Sequence, residues 1–206
     1  MWHLRQIGKP AWQTARAGYV AGRIDTGPRP MTTLLGISGS LRRASHNTKL
    51  LQIAAESFGC ESYTLADIDL PLYNGDVEEA EGIPAKVQAL AALIGAADAV
   101  LIATPEYNKG MSGALKNALD WLSRVKPAPL AGKPVAIMSA SAGISGGARA
   151  QYALRLALVP FDARVLNAPE VLVGASHDAF DADGGLKADT SRDFVARQMT
   201  ALRALL

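Results

Sequence analysis

The stretch that decides the fold is GISGSLRRASHN, residues 36–47, which follows the short apolar run TLL of residues 33–35. An apolar run that leads into glycines and serines and then into a helical pattern is typical of a strand–turn–helix unit. Asn47 stands where the helix is expected to begin, and the helical pattern continues to residue 58. The stretch therefore predicts the first βα unit of an α/β protein.

Short apolar runs alternate with segments of helical period along the rest of the chain. Strands are predicted at residues 33–37, 61–65, 99–103, 135–140 and 163–166. Helices are predicted at residues 47–58, 84–97, 113–124, 146–158 and 190–206. The third and fourth strands are apolar enough to be buried on both faces, as parallel strands are. We therefore expect a doubly wound, three-layer α/β fold with a five-stranded parallel sheet, and this size of chain favours the strand order 2-1-3-4-5.

Composition limits the class of protein. With 206 residues, of which 49% are hydrophobic, the chain suits one domain with a sizeable core, and no apolar stretch reaches the roughly 20 residues that span a bilayer. Cys60 is the only cysteine, which excludes an internal disulfide and a cysteine-based metal cluster. The three histidines show no metal-ligand spacing. We expect a cytoplasmic protein that binds neither a metal nor a membrane.

The net charge of +2 is unevenly distributed. Residues 1–30 hold five basic residues and one acidic residue, which leaves 16 basic and 18 acidic residues in residues 31–206. No basic run with interleaved aromatics follows Met31, so we expect no nucleic-acid partner. Residues 1–30 lack the continuous apolar core of a secretory signal. We interpret them as a disordered or non-native extension rather than a targeting or docking arm, and residues 31–206 as the domain.

Three loops rich in glycine, serine and other polar residues follow the first, third and fourth strands. Their sequences are SGSLRRASHN, TPEYNKGMSG and SASAGISGG. In the predicted order these strands are neighbours, so their loops meet at the carboxyl edge of the sheet. That edge is where α/β proteins of this topology bind ligands, so the coincidence of three such loops predicts a binding site.

The first loop has the composition of a phosphate cradle. Gly39 permits close backbone approach, Arg42 can bind an oxyanion with two parallel donors, and Asn47 opens a helix with free amides. Hydroxyl donors come from Ser38, Ser40 and Ser45. The loop matches neither the G-x-G-x-x-G pattern nor the P-loop, which disfavours a nucleoside triphosphate. Taken alone, this loop is also consistent with an ordinary strand-to-helix turn that is capped by Ser45 or Asn47 and binds no phosphate.

The second and third loops suit a flat heterocycle. Pro105 ends the third strand and is followed by Glu106, Tyr107 and Asn108, which can present backbone amides and an aromatic ring. In the third loop, glycines allow close approach to a ring face and Ser141 can donate a hydrogen bond. Taken alone, the second loop is equally consistent with a loop that has a packed tyrosine. The third loop is equally consistent with a flexible turn before a helix.

Five ordered motifs resemble those of the NAD(P)H-dependent FMN reductases of flavodoxin-like fold, most closely the bacterial quinone and chromate reductase branch. They are GSLRRASHN, DLPLYNGDVEEAEG, TPEYN, LKNALDWLSR and SAGISGGARAQYALR. The resemblance runs from about residue 34 to residue 174 and implies FMN as the cofactor. The first loop would bind the FMN phosphate, and the other two would border the isoalloxazine. The implied FMN-binding residues are Ser38, Ser40, Arg42, Ser45, Asn47, Pro105, Glu106, Tyr107, Asn108, Lys109 and Ser141.

The resemblance also implies an activity. NADPH or NADH would reduce bound FMN, and a quinone, flavin, azo or chromate-type acceptor would then take the electrons in a ping-pong cycle that needs no catalytic acid or base residue. A homodimer or homotetramer is implied as well. The alternative is a flavodoxin-like electron carrier or a flavin-binding sensor module with no NAD(P)H reductase activity of its own. The nearly neutral domain and the arginine in the first loop disfavour the carrier, because such carriers are usually strongly acidic.

Two positions depart from the family pattern PEYN-x-S-x-P-G. Gly110 and Ser112 stand where the pattern has serine and proline. We expect this change to loosen the loop beside the ring and to affect the positioning of nicotinamide or acceptor more than FMN binding. Lys109 would place a cation near the ring, although a solvated surface lysine is the simpler interpretation.

Overall fold

A computed structural model describes residues 32–206, and the extension predicted at residues 1–30 lies outside the described residues. The strands are β1 (Thr33–Ser38), β2 (Ser62–Leu65), β3 (Ala99–Ala103), β4 (Pro134–Ala140), β5 (Arg164–Val165) and β6 (Val171–Val173). The helices are α1 (His46–Phe58), α2 (Gly75–Glu81), α3 (Ala85–Ala96), α4 (Gly113–Leu122), α5 (Ala148–Leu158), α6 (Ser176–Ala179) and α7 (Asp189–Arg203), with a 3-10 turn at Val159–Phe161.

The sheet is parallel and has the order β2-β1-β3-β4-β5, which confirms the predicted flavodoxin-like topology. Every residue of β3 and β4 is buried, as their apolar sequences predict. The register pairs Ser38 of β1 with Ala103 of β3, and Ala103 with Met138 of β4. These three strands therefore end side by side, and the loops that follow them start at one edge of the sheet.

The fifth position of the sheet is split, which corrects the single strand predicted at residues 163–166. β5 pairs with the start of β4, at Pro134 and Val135, whereas β6 pairs with its end, from Met138 to Ala140. Pro169 lies between the two short strands and has no backbone N–H to continue the ladder. The sequence prediction missed β6 because three residues are too few to show a periodic pattern.

Alternating side chains of the strands pack into two separate cores. Leu35, Val100 and Ile102 face α3, α4 and α5, whereas Leu34 and Leu101 face α1 and α7. Trp121, whose helical spacing predicts a core or subunit-contact position, is fully buried in the first of these cores. The two cores make the sheet the middle layer of three. Within the described range, no helix is both long and apolar enough to cross a membrane.

Candidate functional site

The three predicted loops surround one cavity of about 290 Å³ at the carboxyl edge of the sheet. Eight of the eleven predicted FMN-binding residues line it: Ser40, Arg42, Ser45, Asn47, Pro105, Glu106, Tyr107 and Ser141. Five residues that the sequence prediction did not include also line it: Ala44, His46, Ala140, Ala142 and Ser176. The lining does not include Ser38, Asn108 and Lys109. The structure thus brings most of the predicted site together.

The first loop is fixed to the neighbouring strand and helix. The N–H of Gly39 donates to the carbonyl oxygen of Ala103 over 2.7 Å, and the hydroxyl of Ser112 donates to the carbonyl oxygen of Gly39. A Cβ atom at Gly39 would lie 3.2 Å from both the Ala103 carbonyl oxygen and the Ser112 hydroxyl oxygen. A larger residue would therefore push the loop away from the end of β3.

Ser38 does not line the cavity but makes hydrogen bonds that hold the first loop. Its side chain is buried, and its Oγ accepts a hydrogen bond of 2.9 Å from the hydroxyl of Thr48 in the first turn of α1. The N–H of Ser40 lies 3.4 Å from the same oxygen. The hydroxyl of Ser38 is therefore used to fasten the loop to the helix.

Asn47 ties the first loop to the third. Its side-chain amide donates to the carbonyl oxygen of Ala140 and its Oδ1 accepts from the N–H of Ala140, both over 2.9 Å. The residue is only 3% exposed, so this two-point contact with the end of β4 is shielded from water. The side chain of Asn47 holds the two loops in register, and its main-chain amide lies at the start of α1, where the sequence predicts free amides for a phosphate.

The start of α1 offers donors to an anion. Ser45 caps the helix by accepting from the N–H of Thr48 over 3.3 Å, and the main-chain N–H groups of His46 and Asn47 have no partner within residues 32–206. Free amides and the helix dipole favour negative charge at this end of a helix. The exposed guanidinium of Arg42 also has no acidic partner among the described residues.

The loop after β3 closes in a two-residue turn. Tyr107 and Gly110 exchange both main-chain hydrogen bonds over 3.0 Å, and Asn108 and Lys109 between them have positive φ angles of 49° and 66°. Such angles at both central positions define a type I′ turn. Asn108 and Lys109 are both exposed at the tip of this turn.

The expected loosening at Gly110 and Ser112 is not what the structure shows. Gly110 closes the hydrogen-bonded turn with Tyr107. Ser112 is buried and caps α4 by accepting from the N–H of Leu115 over 3.2 Å, while its hydroxyl donates to Gly39 in the first loop. Proline could not form this side-chain bridge. The departure from the family pattern therefore adds a contact between the first and second loops.

Glu106 joins the second loop to the third. Its carboxylate accepts from the N–H groups of Arg149 and Ala150 at the start of α5, over 3.1 and 3.4 Å, and lies 3.6 Å from the guanidinium of Arg149. A carboxylate is stabilised at the positive end of a helix. The carboxylate of Glu106 thus links the second and third loops, and Glu106 also lines the cavity.

The third loop turns sharply around two glycines. Gly146 and Gly147 have φ angles of 61° and 91°, and a Cβ at Gly147 would lie 2.7 Å from the Cβ of Ser139. The hydroxyl of Ser139 donates to the carbonyl oxygen of Gly146 over 2.6 Å and accepts from the side chain of Gln151 over 2.8 Å. The glycines are therefore required for the tight turn that carries Ser141 to the cavity.

His46 is the most polar of the residues that sequence reasoning missed. Its ring stacks on Phe180, with centroids 5.0 Å apart and an interplanar angle of 17°. Burial lowers the pKa of His46, and the positive charges of Lys49, Arg42 and His177 lower it further. The signal in the sequence was its position between the capping Ser45 and Asn47, at the first position of α1.

The donors at this end of the cavity fit the phosphate of FMN. Arg42 supplies an unpaired positive charge, and His46 and Asn47 supply free main-chain amides. The hydroxyl oxygens of Ser40 and Ser45 accept main-chain hydrogen bonds, which leaves their protons free to donate to an anion. No group of three metal-ligating side chains occurs in residues 32–206.

A parallel sheet in this order, with a loop rich in potential anion donors after its first strand, is typical of a flavodoxin-like protein. Residues 32–178 match the model of the NADPH-dependent FMN reductase family, and the chain belongs to this family of oxidoreductases. The family predicted from the five motifs is thereby confirmed. FMN is its cofactor, and NAD(P)H is its co-substrate.

Named relatives agree with this assignment. An NAD(P)H-dependent FMN reductase of Pseudomonas aeruginosa is 50% identical over 175 residues, which cover 82% of this chain and 92% of the relative. A quinone reductase of Escherichia coli is 48% identical over 177 residues, which cover 83% of this chain and 92% of the relative. The structure of FerB, a flavoenzyme NAD(P)H:(acceptor) oxidoreductase from Paracoccus denitrificans, superimposes with a TM-score of 0.73 at 32% identity and covers 84% of this chain and 96% of FerB.

Proposed function

We propose that this protein uses NAD(P)H to reduce bound FMN and passes the electrons to a quinone. The observation that carries this proposal is the convergence of three loops on one cavity, to which the first loop contributes anion donors and the second loop contributes Tyr107. The names of the relatives, FMN reductase and quinone reductase, support both halves of the reaction. Free flavin, azo compounds and chromate are further acceptors, which we propose only because the five sequence motifs resemble those of the FMN reductases.

The chain's own residues would bind and orient the cofactor. When bound, FMN supplies the redox chemistry by accepting a hydride from NAD(P)H and giving electrons to the acceptor. Arg42 would neutralise the phosphate, with Ser40 and Ser45 donating hydrogen bonds to it. Asn47 and Glu106 hold the three loops in place. No side chain needs to act as a general acid or base, so we assign no catalytic residue.

The visible absorption spectrum of the FMN-loaded protein tests the proposal. We expect anaerobic NADPH or NADH to bleach the bound flavin band, and a quinone to restore it. Steady-state rates with varied NAD(P)H and quinone should give the parallel double-reciprocal plots of a ping-pong reaction. If FMN binds but neither nucleotide bleaches it, the electron-carrier or sensor alternative replaces the reductase.

We also propose that the protein forms a homodimer or homotetramer. An apolar stripe on the outer face of α5 supports this, because Tyr152, Leu156 and the following Val159 are 59%, 75% and 72% exposed. Light scattering should give two or four times the mass of one chain, and replacing Leu156 with glutamate should lower that mass. A monomer at micromolar concentration would contradict the proposal. A location in the cytoplasm, consistent with the single half-buried thiol of Cys60, stays a prediction.

A further inference from the structure

The imidazole of His46 packs on one neighbour and makes no side-chain hydrogen bond within the described residues. One ring face is covered by the stack on Phe180, and the residue lines the same cavity as Arg42 and Ser45. Neither ring nitrogen has a hydrogen-bond partner within residues 32–206. The side chains on either side of His46 make hydrogen bonds within the protein, because Ser45 caps α1 and Asn47 binds Ala140. An unpartnered imidazole thus stands beside the anion-binding donors.

The charges around His46 are mostly positive. Arg42 approaches from the first loop, Lys49 lies one turn further along α1, and His177 approaches from α6. The Nε2 atom of His177 lies 3.1 Å from the carboxylate of Asp178. Across the cavity, the carboxylate of Glu106 is bound to the start of α5. Without an anion in the cavity, burial and these cations keep the pKa of His46 below its usual value.

We propose that the protonated imidazole of His46 binds the phosphate of FMN together with Arg42, so that phosphate recognition strengthens as the pH falls. This inference rests on the proposed placement of the phosphate at the first loop. A phosphate carries up to two negative charges and would reverse the local field that now opposes protonation. The imidazole N–H would then donate a charge-assisted hydrogen bond to a phosphate oxygen.

The sign of the pH dependence follows from linkage. An anion that binds the protonated form better raises the imidazole pKa, and the extra affinity is present below that pKa and lost as the pH rises through it. The phosphate of FMN loses its second proton at about pH 6. The second negative charge strengthens binding as the pH rises, which is the opposite direction. A comparison of wild type with a variant at the same pH removes this common contribution.

Replacing His46 with phenylalanine separates the charge from the ring stack, since phenylalanine can keep the contact with Phe180. FMN affinity would be measured on flavin-free protein by quenching of flavin fluorescence. We expect the variant to bind FMN about fivefold to tenfold more weakly than wild type near pH 5.5, and equally within about twofold near pH 8. Riboflavin has no phosphate, so its affinity should be the same for both proteins at each pH.

An NMR titration of the wild-type protein needs no variant. The imidazole signal of His46, identified by its loss in the phenylalanine variant, should report a pKa about one pH unit higher with FMN than without, because a tenfold affinity difference requires this by reciprocity. An unchanged pKa, or an affinity ratio that does not vary with pH, would overturn the inference while leaving FMN binding intact. If wild type binds no FMN at all, both the inference and the proposed function fail.

Discussion

Replacing Arg42 with alanine weakens FMN binding by about 1.5 to 3 kcal/mol, or roughly tenfold to 150-fold in Kd. Arg42 lines the cavity and has no acidic partner in the described residues, so its positive charge is free for the phosphate. Its loss removes a charge-assisted hydrogen bond from the ligand but breaks no ion pair among the described residues. Fluorescence titration of flavin-free protein with FMN measures the change.

Arg43 provides a matched control for this prediction. It is the next residue and is exposed in the same loop, and both arginines border a second cavity near Asp67 and Asp69, but only Arg42 also lines the cavity between the three loops. The change Arg43→Ala should alter FMN affinity by no more than about 0.5 kcal/mol, the usual effect of a surface substitution. Equal losses in the two variants would mean that the loop acts only through its general positive potential. Unchanged FMN affinity in Arg42→Ala would show that the phosphate binds elsewhere.

The fold could be predicted because its signals are local and repeated. β3 and β4 are continuous apolar runs, and α1 is bounded by the capping Ser45 and by Gly59, whose φ is 67°. The alternation of strands and helices predicts a parallel sheet but leaves the strand order open, and five strands in a chain of this size favour the order 2-1-3-4-5. The split of the fifth strand could not be predicted, since pairing of β6 with the end of β4 is a long-range contact.

The meeting of the three loops at one cavity could be predicted from the sequence, whereas the hydrogen-bond partners of their side chains could not. Glycine, serine and arginine in three adjacent loops located the cavity, because their chemistry can be read from the sequence. Which polar groups are used within the protein depends on three-dimensional contacts: Asn47 binds Ala140, and Glu106 caps α5. A sequence shows that an amide or carboxylate is present, but the partner across the sheet decides whether it remains available to a ligand.

Replacing Asn47 with alanine should lower the free energy of unfolding by about 2 to 4 kcal/mol. The side chain is buried and makes two hydrogen bonds with Ala140, and alanine would leave both the N–H and the carbonyl oxygen of Ala140 without these partners. Buried backbone groups without partners carry the full cost of desolvation. FMN affinity should fall as well, because the first and third loops lose the bond that joins them. Urea unfolding of the flavin-free protein measures the stability change.

Gln52→Ala is the control for Asn47→Ala, since it removes an amide from the exposed side of the same helix, where the side chain of Gln52 bonds only to Glu56 among the described residues. It should change the free energy of unfolding by no more than about 0.5 kcal/mol and leave FMN affinity unaltered. Saturating FMN should partly restore the stability of Asn47→Ala, because a ligand that binds only the folded state stabilises it by mass action. If Asn47→Ala is as stable as Gln52→Ala, water replaces the lost amide at Ala140, and the first and third loops are held in place mainly through the second loop, by the contacts of Ser112 and Glu106.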